Sequence, residues 1–174
     1  MIKKICSLIL ISFFLVFFSY NINHVYAQTT SFPKVENLKG KEQLIKSLDE
    51  IKRVRWNMGT INIKADLSDE GLDKVSKYIK KYLVEFESIR NNLEDYKFRY
   101  RDSLADLNFS EQIQFIVDSY MLSLRQQQNL VLQLRKNNPD AKKLFESDYL
   151  TTAYFYLTLG DQMYSYTTEY ISIV

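Results

Sequence analysis

A seven-residue repeat of apolar side chains between Asp69 and Arg101 is the feature that most constrains the fold. One apolar row recurs every seven residues, and a second row lies three positions later in each repeat. The nine positions are Leu72, Ile79, Phe86, Leu93 and Tyr100 in the first row, and Val75, Tyr82, Ile89 and Tyr96 in the second. Because strands alternate with a period of two, this spacing predicts a long helix packed against other helices. We expect it to begin at the capping residue Ser68.

Three further helices are predicted around this one. The first covers Lys41–Met58, and its apolar face is the weakest of the four. The third begins at Ser110 and ends before Pro139, because proline and the residue before it resist helix continuation. The fourth begins with Asn138 as its cap and reaches nearly to the C-terminus. Four amphipathic helices joined by short turns predict an all-α fold, an antiparallel up-down helical bundle over residues 41–174.

The first 27 residues have the pattern of an export signal. Lys3 and Lys4 precede an apolar run from Ile5 to Phe18, and a polar segment then ends in a small residue at Ala27. The apolar run is shorter than the roughly 20 residues that cross a bilayer. The pattern is typical of a signal peptide that is cleaved, with an uncleaved anchor as the alternative. We predict cleavage after Ala27, a flexible segment over 28–40, and a location outside the cell or at its envelope.

Cleavage at this point excludes several chemistries from the mature chain. It leaves 147 of the 174 residues and removes Cys6 and His24, the only cysteine and the only histidine. Disulfides, thiol nucleophiles, zinc sites built from Cys or His, and histidine catalysis are then excluded. Loss of Lys3 and Lys4 lowers the 23 basic residues to 21, equal to the 21 acidic residues. This balance gives no electrostatic basis for binding nucleic acid.

The carboxylates form no recognisable catalytic or metal-binding pattern. Glu85 and Glu87 flank the core position Phe86, so we expect both to face solvent. A di-iron bundle needs Glu-x-x-His pairs that face inward, and the mature chain has no histidine. We therefore predict a protein that is not an enzyme and has no catalytic residue, cofactor or metal.

Tyrosine is unusually frequent on the fourth helix. A row beside the predicted core position Leu150 contains Tyr149, Tyr156 and Tyr170, and Tyr154 lies on another face. These four tyrosines are the candidate partner-binding residues, because tyrosine supplies a large contact area and is enriched in interfaces. The alternative is that their rings flank the core and only their hydroxyls reach water.

Three single residues carry further expectations. Gly160 in mid-helix costs about 1 kcal/mol relative to alanine, so we expect a neighbouring helix to approach closely there. Trp56, the only tryptophan, is expected to cover one end of the core. Gln127 occupies an otherwise apolar position, and its neighbours Gln126 and Gln128 favour a solvent-facing side chain over a buried polar contact.

The hypothesis that these observations favour is a secreted protein that binds an unidentified protein partner, as an inhibitor, immunity factor or accessory subunit would. One alternative is a membrane-active toxin component, since Asp161 and Glu169 are the only charges after Tyr149. Asp161 at mid-helix is costly in lipid, so membrane contact is not favoured. Another alternative is a self-assembling envelope protein, with the tyrosine row packed between copies.

Overall fold

The computed structural model describes residues 35–172, and these residues form an all-helical fold. The long helices are α1 (Lys41–Met58), α2 (Asp69–Arg99), α3 (Leu104–Arg135) and α5 (Thr151–Ser172). Shorter elements are a 3-10 turn at Val35–Asn37, helix α4 at Pro139–Lys143 and a π-helical turn at Phe145–Leu150. Within the described range there is no strand, and the four long helices pack against each other. The predicted export signal lies outside the described residues.

The two heptad rows of α2 lie in the core of the protein. Seven of the nine positions are buried, and the other two, Val75 and Tyr100, are partly buried against the same cluster. Ser68 caps the helix, since its hydroxyl accepts a hydrogen bond from the backbone N–H of Gly71 at 3.3 Å. The predicted helix is therefore confirmed, and it ends two residues earlier than expected.

Long helices that follow one another in the chain run in opposite directions. In each pair of helices, as the residue number increases along one helix, the number of its contact partner on the next helix decreases. The pairs are Arg53–Glu85 and Asn57–Tyr82 between α1 and α2, Arg90–Asp118 and Asp73–Arg135 between α2 and α3, and Phe109–Tyr170 and Tyr120–Asp161 between α3 and α5. Helix α3 packs against all three other long helices, whereas α1 and α5 approach each other less closely.

Helix α3 begins six residues before the predicted start at Ser110, so that prediction is wrong. Ser103 is the actual cap, and its hydroxyl accepts a hydrogen bond from the N–H of Asp106 at 3.4 Å. Residues 107–109, before the predicted start, are helical, and Phe109 among them is fully buried. The hydroxyl of Ser110 donates to the carbonyl of Leu107 at 2.7 Å within the helix, so it does not serve as a cap.

The predicted fourth helix is divided in two, although its start is confirmed. Asn138 caps α4 by accepting a hydrogen bond from the N–H of Asp140 at 3.0 Å, and Pro139 occupies the first turn. The wider π-helical turn that follows changes the direction of the side chains, and both Phe145 at its start and Ala153 after it are buried. A heptad count assumes one constant helical period, so it does not anticipate the change of period at Phe145–Leu150.

Gln127 lies in the core, and the expectation that it faces water is wrong. Its side chain is 4% exposed, and its amide nitrogen lies 3.4 Å from the hydroxyl of Ser123 as a hydrogen-bond donor. Ser123 in turn donates to the carbonyl of Ala153 on α5 at 2.7 Å. The buried polar contact considered as the alternative is the one observed, and it links α3 to α5.

Candidate functional site

The four tyrosines predicted to bind a partner do not share one exposed face. Tyr154 is exposed, whereas Tyr149, Tyr156 and Tyr170 are half-buried. Tyr149 and Tyr170 pack against the hydrophobic core. Tyr156 contacts Phe155, with ring centroids 5.3 Å apart. The structure therefore places two of the four at the margin of the core and leaves Tyr154 and Tyr156 nearer to solvent.

Other large apolar residues lie on the exposed face of α5. Phe155 is 60% exposed and Tyr166 is 51% exposed, and Leu159 between them is partly exposed. The remaining exposed positions of the helix are Thr151, Tyr154, Thr158, Gln162, Ser165 and Glu169. Helix α5 contains no lysine or arginine. Its solvent side thus carries large aromatic rings among uncharged polar residues and almost no charge, which is unusual for a helix facing water.

Helix α3 adds two exposed apolar residues, Phe115 and Leu122, at the same levels of the bundle. The Tyr120–Asp161 contact sets the register of the two helices. In this register the two residues of α3 lie level with Tyr166 and Leu159.

Phe115 and Leu122 lie five and two positions from Tyr120, and Phe155, Leu159 and Tyr166 lie six, two and five positions from Asp161. At 3.6 residues per turn, that spacing places them on the side of each helix turned away from α1. We name Phe115, Leu122, Phe155, Leu159 and Tyr166 the α3–α5 outer surface.

On the side that faces α1, helices α1 and α5 border a cleft of about 540 Å³. The ring of Tyr120, which is buried, forms its floor. The other lining residues are Lys52, Arg55, Trp56, Gly59 and Thr60 from α1 and the turn after it, and Asp161, Tyr164 and Ser165 from α5.

Trp56 does not cover the end of the core, contrary to expectation. It borders the cleft and is 84% exposed. The core side of α1 is already filled at this level by Val54 and Met58, both buried. A large apolar ring is therefore held in water at the rim of a cleft.

Arg55 and Asp161 join α1 to α5 inside this cleft. Two parallel hydrogen bonds link the guanidinium to the carboxylate, Nε to Oδ1 at 2.7 Å and Nη2 to Oδ2 at 2.8 Å. The guanidinium also donates to the carbonyl of Gly59, and the hydroxyl of Tyr120 donates to Oδ1 of Asp161 at 2.8 Å. Such bidentate, charge-assisted pairs are among the stronger hydrogen bonds in proteins.

The same contacts change two pKa values. The hydrogen bond to Asp161, helped by its charge, raises the pKa of Arg55. Burial, followed by the hydrogen bond to Asp161, raises the pKa of Tyr120. Both groups therefore keep their protons at neutral pH, and the three side chains form a fixed polar floor beneath the rim.

A second carboxylate, Asp106, is fully buried at the start of α3. It accepts hydrogen bonds from the backbone N–H groups of Lys39 at 3.1 Å and Gly40 at 2.9 Å, and from the hydroxyls of Tyr96 and Ser103. Burial acts to raise the pKa of Asp106, but the four hydrogen bonds outweigh it and hold the pKa below its usual value. Asp106 thereby ties the segment before α1 to the corner between α2 and α3.

Sequence reasoning missed both polar clusters. A local signal did exist for Asp106, because Ser103-x-x-Asp106 has the spacing of a capping box. No local signal existed for Arg55 and Asp161, which are 106 positions apart. Pairs at that separation are brought together only by the fold.

Within residues 35–172, no group of His, Cys, Asp and Glu side chains has the arrangement that could hold a metal ion. None of the helices described in this range combines the length and the apolar composition needed to cross a membrane. Comparison of the chain with models of known families, with curated proteins and with solved structures gives no match.

Proposed function

We propose that this protein is a secreted, non-enzymatic bundle of antiparallel up-down helices that binds another protein outside the cell or at the envelope. The observation that supports this proposal is the α3–α5 outer surface, where Phe155 and Tyr166 are both more than half exposed. Interface centres are enriched in aromatic residues and depleted of lysine and glutamate. Single exposed apolar residues are ordinary, but a group of them on one side of two packed helices is typical of an interaction site.

The scaffold under this surface favours binding without large rearrangement. Phe115 and Leu122 lie on α3, the helix that packs against every other long helix. The α5 side is fixed to α3 by the Ser123–Ala153 and Tyr120–Asp161 hydrogen bonds. A surface presented on two rigid helices loses little conformational entropy when a partner covers it.

The proposed location rests on the export pattern of residues 1–27. In this proposal the mature protein begins at Gln28, carries balanced charge, and recognises its partner by apolar and hydroxyl-bearing side chains. N-terminal sequencing of protein purified from culture fluid and from envelope fractions tests the cleavage. Recovery of a chain that still begins at Met1 would contradict the secreted form.

The binding proposal is tested by capture from culture fluid and envelope extracts with three immobilised forms of the protein. These are the wild type, the double variant Phe155→Ala/Tyr166→Ala, and a control double variant Val84→Ala/Phe98→Ala. The control residues are similarly exposed but lie on α2, away from the proposed surface. Circular dichroism establishes that all three forms are folded.

We expect the wild type and the control to retain one defined protein, and the Phe155/Tyr166 variant to bind it at least about tenfold more weakly. Equal retention by the three forms would exclude this surface as the binding site.

Self-association is the second candidate, because an uncharged aromatic surface can also pack against its own copy. Sedimentation velocity of the wild type distinguishes self-association from binding of another protein. A monomer at micromolar concentration supports binding of another protein. A dimer that the Phe155→Ala/Tyr166→Ala substitutions dissociate would replace the first proposal. Leakage of liposomes at the same concentration would favour the membrane-active alternative.

A further inference from the structure

We propose that the cleft between α1 and α5 binds a small organic anion that consists of an aromatic ring and a carboxylate. The cleft lies on the α1-facing side of α5, whereas the α3–α5 outer surface lies on the opposite side. The inference is therefore independent of the proposed function.

The dimensions of the cleft suit a small molecule. Its volume of about 540 Å³ falls within the roughly 300–1,000 Å³ of ligand pockets. The Arg55–Asp161 pair and the hydroxyl of Tyr120 fix its floor, and these contacts span three helices. The site is consequently preformed, and a ligand would enter without separating α1 from α5.

Aromatic side chains stand on both sides of the cleft. Trp56 presents its exposed indole from α1, and Tyr164 contributes a half-buried ring from α5. An aromatic ligand that covers part of the indole removes apolar surface from water and gains ring–ring contact. This arrangement selects a flat, apolar body for the ligand.

The charges of the cleft leave one cation without a partner. Asp161 is neutralised by Arg55, which forms two hydrogen bonds to it. Lys52 lies one turn before Trp56 on the same face of α1, and it forms no ion pair with any residue in the described range. Asp49, one turn earlier, forms no ion pair with Lys52 in the described range; its charge instead acts on Tyr164, whose pKa is raised by burial and by Asp49. A carboxylate on the ligand would complement the Lys52 ammonium group beside the indole.

Hydroxyl groups supply the remaining polar contacts. Thr60 lies at the end of the cleft formed by the turn after α1, and Ser165 lies on the α5 wall. Neither hydroxyl is used in a hydrogen bond with the part of the chain that the structure describes. Pockets of this kind commonly combine apolar walls with a few polar groups that orient the ligand.

Trp56 provides a direct readout, because its indole is the only one in the chain and it borders the site. The purified protein is titrated with phenylpropionate, and separately with phenylpropanol, which has the same ring but no charge. We expect a saturable change in tryptophan emission with phenylpropionate and affinity at least about threefold lower for the alcohol. Higher salt concentration should weaken binding of the anion but not of the alcohol.

Two lysine variants locate the charge contact. Lys52→Ala should weaken phenylpropionate binding at least about threefold, whereas Lys80→Ala, at an exposed position on α2, should leave it unchanged. Both lysines are exposed, so both variants should fold, and circular dichroism checks this. Absence of a saturable change up to roughly 10 mM phenylpropionate, a weak-binding limit, would overturn the proposal. Equal affinity of the wild type and Lys52→Ala for phenylpropionate would also overturn it. A change in tryptophan emission with glucuronate, an acid without an aromatic ring, but none with phenylpropionate would overturn it as well.

Discussion

Gly160 on α5 lies directly against the ring of Tyr120 on α3. A Cβ atom at position 160 would be 2.6 Å from Cε1 of Tyr120 and 2.8 Å from Cδ1. The ring cannot easily move away, because it stacks on Phe86 with centroids 5.3 Å apart and its hydroxyl bonds to Asp161. The expectation that a neighbouring helix approaches closely at Gly160 is thus confirmed.

Replacing Gly160 with alanine should therefore destabilise the protein. Alanine favours the helix by about 1 kcal/mol, but overpacking against a fixed ring costs about 1–3 kcal/mol. We expect a net loss of up to about 2 kcal/mol in the free energy of unfolding, measured by urea denaturation. Gly71→Ala is the control, because its Cβ would come closest to the flexible end of Leu67, at 3.1 Å, and its other neighbours are at 3.5 Å or more. A Gly160→Ala variant as stable as the wild type would show that the ring yields.

Much of the helical fold could be predicted because its signals are local. The heptad rows of α2 determine which face is buried whatever their partner is, and Ser68 and Asn138 cap their helices as the sequence indicates. The start of α3 was missed although Ser103 and Asp106 have the spacing of a capping box, because continuation of the helix through residues 107–109 goes with the burial of Phe109. Burial of Phe109 depends on contacts that form only after the chain folds.

The ion pair between Arg55 and Asp161 should contribute measurably to stability. Asp161→Asn keeps the size of the side chain but removes the charge that the Arg55 guanidinium faces. We expect a loss of about 1–2 kcal/mol, because charge-assisted hydrogen bonds are worth more than neutral ones. Lys74→Gln is the control, since its pair with Glu70 is highly exposed on both sides and should contribute about 0–0.5 kcal/mol. Equal changes in urea denaturation would mean that solvent screens the Arg55–Asp161 pair completely.

Asp106 should make stability depend on pH in the acid range. Asp106→Asn places an amide where backbone and hydroxyl donors converge, so we expect a loss of about 2–4 kcal/mol at neutral pH. The pKa of Asp106 is lowered in the folded state. Ionised Asp106 therefore contributes its full share of stability above its pKa in the unfolded state, about 3.9. This stability is lost as the pH falls through the lower pKa of Asp106 in the folded state.

The difference in melting temperature between wild type and Asp106→Asn should accordingly narrow as the pH is lowered below about 4. Asp102→Asn serves as the control, because Asp102 is exposed in the turn between α2 and α3, and exposed substitutions change stability by about 0.5 kcal/mol or less. A difference in melting temperature between wild type and Asp106→Asn that stays constant down to acid pH would indicate that the charge of Asp106 does not stabilise the corner between α2 and α3.

The candidate sites were less predictable than the helices, and Trp56 and Gln127 show why. Sequence periodicity gives the direction of a side chain on its own helix, but not what the other helices leave uncovered. Val54 and Met58 fill the core beside Trp56, which leaves the indole at the cleft. Gln127 is enclosed because α5 approaches Ser123 closely. Both outcomes depend on the spacing between helices, which a single sequence does not contain.

Thr167 on α5 provides the last test, because its hydroxyl is buried without a hydrogen-bond partner in the described part of the chain. Valine has nearly the same shape and no polar atom, so Thr167→Val removes the cost of a buried, unsatisfied group. We expect stabilisation by about 1 kcal/mol. The neighbouring Thr168→Val is the matched control, since the Thr168 hydroxyl donates to the carbonyl of Tyr164 at 2.8 Å. That variant should lose about 0.5–1 kcal/mol, and the opposite order of the two in urea denaturation would show that water reaches Thr167.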